Sequence, residues 1–141
     1  MSKLLQRLSD AAKSGVYRAA HERDILEVLR GSNLGLARID LSGAAGKDAL
    51  MERIAHSLAL PGWFGKNWDA LDESLADLAW SGAAGYVMLF EGAQALPADA
   101  RSSLKEVLAG AAQTWKSRNR PFFAVFIEAA SDLPELYRER Q

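Results

Sequence analysis

The chain of 141 residues has no Cys, only two His and four Pro, and no surplus of either charge. Without Cys there is no disulfide, no thiolate zinc site and no thiol nucleophile. Seventeen Lys and Arg against eighteen Asp and Glu leave a formal charge of -1. That balance provides no global electrostatic footprint for nucleic acid. No apolar run approaches the roughly 18 residues of a membrane span. The stretch MSKLLQRLSDAAKSG is interrupted by Arg7 and Asp10, so no signal peptide is expected there. Neither G-x-G-x-x-G nor G-x-x-x-x-G-K-[ST] occurs, which argues against a nucleotide-binding enzyme. No H-x-x-x-H or H-x-E surrounds His21 or His56, so neither a metal site nor a triad has support. A cytoplasmic protein with no cofactor, no metal, no membrane contact and no catalytic residue is the expectation.

What is present is ordinary for a globular domain: 49% hydrophobic and 25% charged residues. Residues 1–14 read as a short amphipathic helix through Leu4, Leu5, Leu8, Ala11 and Ala12, ended by Gly15. Val16-Tyr17-Arg18 is a possible strand, and 21–30 a helix with Gly31 at its C-terminal cap. Strands are predicted at 34–41, 86–90 and 122–127. The last two are continuous apolar runs, as in strands buried on both faces. Helices are predicted at 47–58, 67–80 with Asn67 as N-cap, and from Pro97 to about residue 118. This alternation predicts an α/β fold with a small, mostly parallel three-stranded sheet, with room for a fourth N-terminal strand. The expected organisation is a helical extension over 1–33 packed on the α/β domain of 34–130, then a polar tail over 131–141 that frays or packs loosely.

The charge is unevenly placed. Residues 66–80 hold one base, Lys66, and four acids, a net charge of -3. Asp69, Glu73 and Asp77 fall at i, i+4 and i+8 on one helical face, which Ala76 and Trp80 extend; Asp72 lies beside it. Like charges one turn apart cost a helix roughly 0.2–0.5 kcal/mol per pair. The bland explanation is a solvated face. A metal site lacks further ligands, and an acid/base pair lacks a pocket. A docking surface for a cationic partner gains weight from Trp63 and Phe64 just before the helix, because aromatics beside charges are common interface anchors.

The stretch Leu60-Pro61-Gly62-Trp63-Phe64-Gly65-Lys66-Asn67-Trp68-Asp69-Ala70-Leu71 resembles the hallmark segment of the barstar family, the intracellular inhibitors of barnase-type ribonucleases. The pattern L-P-x, two aromatics, G-x-N-x-D-A-L, then an acid and Leu, continues through Glu73 and Leu75. The likeness runs from about Leu34 to Ile127. Residues 1–33 resemble the front of a longer bacterial branch. The resemblance implies an inhibitor or immunity protein whose acidic helix and preceding loop plug a ribonuclease active site. Carried over by position, Asp69 and Glu73 are the paired acids, Trp63 the contacting aromatic and Gly65 the loop glycine that lets the backbone approach. The expected partner surface is Trp63, Phe64, Gly65, Asp69, Asp72, Glu73, Ala76, Asp77 and Trp80. The expected partner is a basic secreted or toxin ribonuclease, with no direct nucleic-acid contact. Three positions depart from the pattern: Asp72 stands where Trp is frequent, Lys66 where an acid precedes Asn, and Thr114 near a contacting Glu. The alternative is the same fold serving a non-ribonuclease partner, as a monomer or weak homodimer in which the stripe of helix 1–14 finds its cover.

Overall fold

The computed structural model describes residues 2–59, 67–77 and 83–137. Four parallel strands form one sheet in the order β1-β4-β3-β2: β1 Gly15–Ala19, β2 Leu34–Asp40, β3 Gly85–Glu91 and β4 Phe122–Ile127. The chain is thus α/β, and the fourth strand exists: β1 pairs with β4 from Gly15↔Phe123 to Ala19↔Ile127. Gly15 begins this strand rather than ending a helix. The amphipathic segment before it is shorter than its periodicity suggested. Helix α1 spans Lys3–Leu8, capped by Ser2 Oγ, and a 3₁₀ turn follows over Ala11–Lys13. Asp10 causes the break by accepting from Ala12 N at 3.0 Å, a local bond that competes with the helix.

The apolar runs divide by alternation, as the pleat requires. Tyr86, Met88 and Phe90 of β3 and Phe122, Ala124 and Phe126 of β4 face one core. That core is covered by α3 (Lys47–Ser57), α4 (Trp68–Ala76) and α5 (Ala98–Ser117). Val87, Leu89, Phe123 and Val125 face a second core. There they meet Leu4 and Leu8 of α1, and Ile25 and Leu29 of α2 (Arg23–Leu29). The stripe of α1 is therefore covered within the chain and calls for no second copy.

The segment after β4 does not fray over its described part. Leu136 is buried in the second core. Arg18 clasps the segment: its backbone N donates to Pro134 O at 2.8 Å, its Nε to Leu133 O at 2.9 Å and its Nη1 to Ala129 O at 2.8 Å. The polarity of this stretch belongs to its outer side.

The start of α5 is tied to the end of β4 by a bidentate pair. Arg101 Nη1 and Nη2 donate to the two oxygens of Glu128 at 3.0 and 2.7 Å. Burial pushes the Glu128 carboxyl up, but hydrogen bonds from Arg101 and Ser131 outweigh it and hold the group below its ordinary 4.5. A lowered folded value means stability that is present above 4.5 and lost as pH falls through the folded value. Arg101→Met leaves Glu128 buried and unpaired, and should cost about 3–5 kcal/mol near neutral pH. Urea unfolding near pH 7 and near pH 4 checks this; the deficit should narrow in acid, because the buried carboxyl left without Arg101 in the variant takes up a proton there.

Candidate functional site: an acidic helix pinned by its neighbour

Helix α4 has only nine residues, and isolated helices below about 12–15 residues are marginal in water. Its N-terminus is closed by Asn67, whose Oδ1 accepts from Ala70 N at 2.8 Å. Leu71 and Leu75 are fully buried and Trp68 packs half-buried against the same core. The opposite side carries Asp69, Asp72 and Glu73, all exposed, with half-buried Ala76. Among the described residues no cation pairs with Asp69, Asp72, Glu73 or Asp77. Asp69 lies in the first turn, where the helix dipole favours it. Asp77 is the exposed C-cap rather than a helical residue, with φ -105° and ψ 32°. The helix thus ends earlier than the 67–80 span its periodicity suggested.

The neighbour α5 supplies what the sequence of α4 lacks. The last four carbonyls of a helix have no partner within it. Here Asp77 N donates to Glu73 O and Ser74 O at 3.1 and 3.3 Å. Buried Trp115 donates its Nε1–H to Leu75 O at 2.9 Å, and Arg118 Nη1 donates to Ala76 O at 2.6 Å. All four carbonyls are satisfied, two of them by Trp115 of α5 and by Arg118 at the C-cap of that helix. Arg120 lies over the Trp115 ring at 4.4 Å and donates to Ala83 O, bracing the indole from outside. Thr114 donates to Gly110 O at 3.1 Å, and Gly110 lies beside Asp72.

Five of the nine expected contact residues can therefore be placed: Asp69, Asp72, Glu73, Ala76 and Asp77 share the outer side of α4 and its cap. Trp63, Phe64, Gly65 and Trp80, and the departing Lys66, lie outside the described residues. The pinning residues Trp115 and Arg118 had no signal in the motif, because each acts from some 40 positions away in sequence.

A second polar cluster lies at the carboxyl ends of the strands. Glu22 precedes α2, Asp40 ends β2 and Glu91 ends β3. With Arg38, Ile39 and Leu89 they line a cavity of about 220 Å³. Arg38 pairs with one Glu22 oxygen, while Glu22 Oε2 is buried with no protein donor as long as both acids are ionised. When protonated, the Glu91 carboxyl donates to Glu22. The shared hydrogen bond with Glu22, then burial, hold the Glu91 carboxyl above its ordinary 4.5. Asp40 goes the other way, lowered by the Ser42 N–H on its Oδ1 at 2.9 Å. These residues are far apart in sequence and formed no readable motif. Among the described residues no group of three or more His, Asp or Glu is arranged to hold a metal, and no helix is long and apolar enough to cross a membrane.

The fold and the helix define a class: a parallel α/β protein that displays carboxylates on a rigid outer helix. A family profile described as Barstar (barnase inhibitor) matches residues 34–127, about two thirds of the chain. The chain belongs to the barstar family. No curated protein matched it in a sequence search. Helices α1 and α2 and strand β1 precede the matched span.

A raised folded value for Glu91 means that stability falls as pH rises from 4.5 through that value, because the folded state loses a proton it holds more tightly than the unfolded chain does. Glu91→Gln keeps the donor and removes the charge. Its melting temperature should exceed that of wild type near pH 7 and match it near pH 4 in scanning calorimetry.

Proposed function

We propose that this chain inhibits a barnase-type ribonuclease by seating the carboxylates of α4 in the enzyme's cationic active site. The observation that carries this reading is the set of four exposed carboxylates on one short helix and its C-cap, with no neutralising cation among the described residues. Such a surface is costly to the free protein and stabilised by a partner that supplies the missing charge. Pinning by α5 holds the acids in one geometry, which lowers the ordering cost of binding. Asp69 and Glu73 are the central pair, with Asp72, Ala76 and Asp77 around them. Trp63, Phe64, Gly65 and Trp80, from the neighbouring segments, complete the contact. The match to a barnase-inhibitor family supports the reading.

The protein in this reading is a binding protein and not an enzyme. It needs no cofactor, touches no nucleic acid or membrane, and works in the cytoplasm, where a chain without Cys loses nothing to the reducing environment. A homodimer is the weaker reading, since the apolar stripe of α1 that favoured it is covered by α2 and the sheet.

Capture of catalytically inactive barnase-type ribonucleases tests the proposal. The wild-type chain should bind at least one of them. Asp69→Ala combined with Glu73→Ala should weaken that binding at least about a hundredfold, since truncating one partner of a buried ion pair costs roughly 3–5 kcal/mol. Unchanged binding by the double variant would sink the site assignment.

A further inference from the structure

The α4 carboxylates are bordered by a line of α5 residues that the acidic motif does not include. Gly110 and Thr114 lie one turn apart on α5, and Arg118, four residues further, is its C-cap. Gly110 and Arg118 are placed beside α4 by contact. A Cβ built on Gly110 would stand 3.8 Å from Asp72 Oδ1, and Arg118 Nη1 reaches Ala76 O at 2.6 Å. Between Glu106 and Lys116 the helix has no charged residue, so Gly110 and Thr114 give a low, neutral strip. That strip ends at the exposed guanidinium of Arg118, at the C-terminal end of α4.

Arg118 is more than a backbone cap. One N–H suffices for Ala76 O, and a guanidinium has five. The other four have no acceptor among the described residues, and no described carboxylate pairs with Arg118, although Asp77 directly follows Ala76 in sequence. The bond to Ala76 O fixes the head group in place, so presenting it to a partner costs less side-chain entropy than an untethered Arg would. A purely acidic plug for a cationic pocket gains nothing from a fixed cation at its edge, because that charge repels the same partner.

We infer that Arg118, at the C-cap of α5 beside this surface, is a specificity-setting contact, taking a carboxylate on the rim of the ribonuclease's cationic cleft. The inference rests on the inhibitor reading and adds a condition to it. The fitting enzyme is basic at its centre and acidic at the one rim position that meets Arg118. Planar, bidentate pairing with a carboxylate is the geometry a guanidinium favours.

The two readings predict opposite signs for one variant. If only acidity matters, Arg118→Glu adds a favourable charge and tightens binding. If Arg118 meets a carboxylate, the same variant repels it and weakens binding about tenfold, the scale of one charge-assisted hydrogen bond. The experiment measures affinity for the inactive ribonuclease that wild type captures best. Arg118→Gln, which removes the charge but stays polar, should weaken binding several-fold with unchanged circular dichroism. It decides the matter should Arg118→Glu fail to fold. Arg118→Lys places an amine at the same position. A zero-length carbodiimide should then join position 118 to an Asp or Glu of the ribonuclease, identified by mass spectrometry. Equal or tighter binding by Arg118→Glu or Arg118→Gln, or no such crosslink, overturns this inference even while the Asp69→Ala, Glu73→Ala variant still loses binding. A wild-type chain that captures no ribonuclease removes the inhibitor reading and this inference together.

Discussion

Trp115 lies 1% exposed beneath α4 and donates its indole N–H to Leu75 O at 2.9 Å. A short helix with three like charges and a fourth at its C-cap is a poor helix by itself, and its buried side offers Leu71, Leu75 and the half-buried Trp68 and Ala70 to hold it. The indole bond, the Arg118 cap and the apolar contact with α5 transfer the stability of a twenty-residue helix to a nine-residue one. The chain of support continues inward. Helix α5 is anchored at its start by the Arg101–Glu128 pair and along its length by Leu104, Leu108, Ala111 and Ala112 against the sheet. The acids are therefore held at a fixed height and pitch over a core that cannot readily yield.

The sheet explains why the chain needs its first thirty residues. Strands β3 and β4 are apolar on both faces, and parallel sheets require cover on both. Helices α3, α4 and α5 cover one face. The other would lie open without α1 and α2, and the outer side of β4 would be a bare edge without β1. Strand β1 in turn is closed by the segment 129–137, clasped through Arg18 and anchored by Leu136. On the opposite edge, Ser57 and Arg53 of α3 donate to Arg38 O and Asp40 O, blunting β2. Both edges are thus managed within the chain.

Most of the architecture was readable because burial on two faces leaves a mark that survives in one dimension. The runs YVMLF and FFAVFI suit strands buried on both faces, and the stripes of α3 and α5 repeat often enough to set their faces. Errors occurred where a local bond or a distant partner decided. Asp10 broke the N-terminal helix by accepting from Ala12 N. The C-terminal segment, polar to the eye, was held by Arg18 and by the single buried Leu136. Helix α4 ended at Ala76 because its last carbonyls found donors on α5.

The candidate site divides the same way. The spacing of Asp69, Asp72 and Glu73 alone put three acids on the outer side of one helix, since an α-helix turns every 3.6 residues whatever surrounds it. The family was legible too, through a contiguous motif within the span that the family profile matches. Sequence was silent on Trp115, on Arg118 and on the Glu22–Glu91 pair. Their roles depend on atoms brought together from positions about 40 to 70 residues apart. Local periodicity is a property of a chain segment, whereas the satisfaction of a stray carbonyl or the sharing of a proton is a property of a folded volume, and only the tertiary structure contains it.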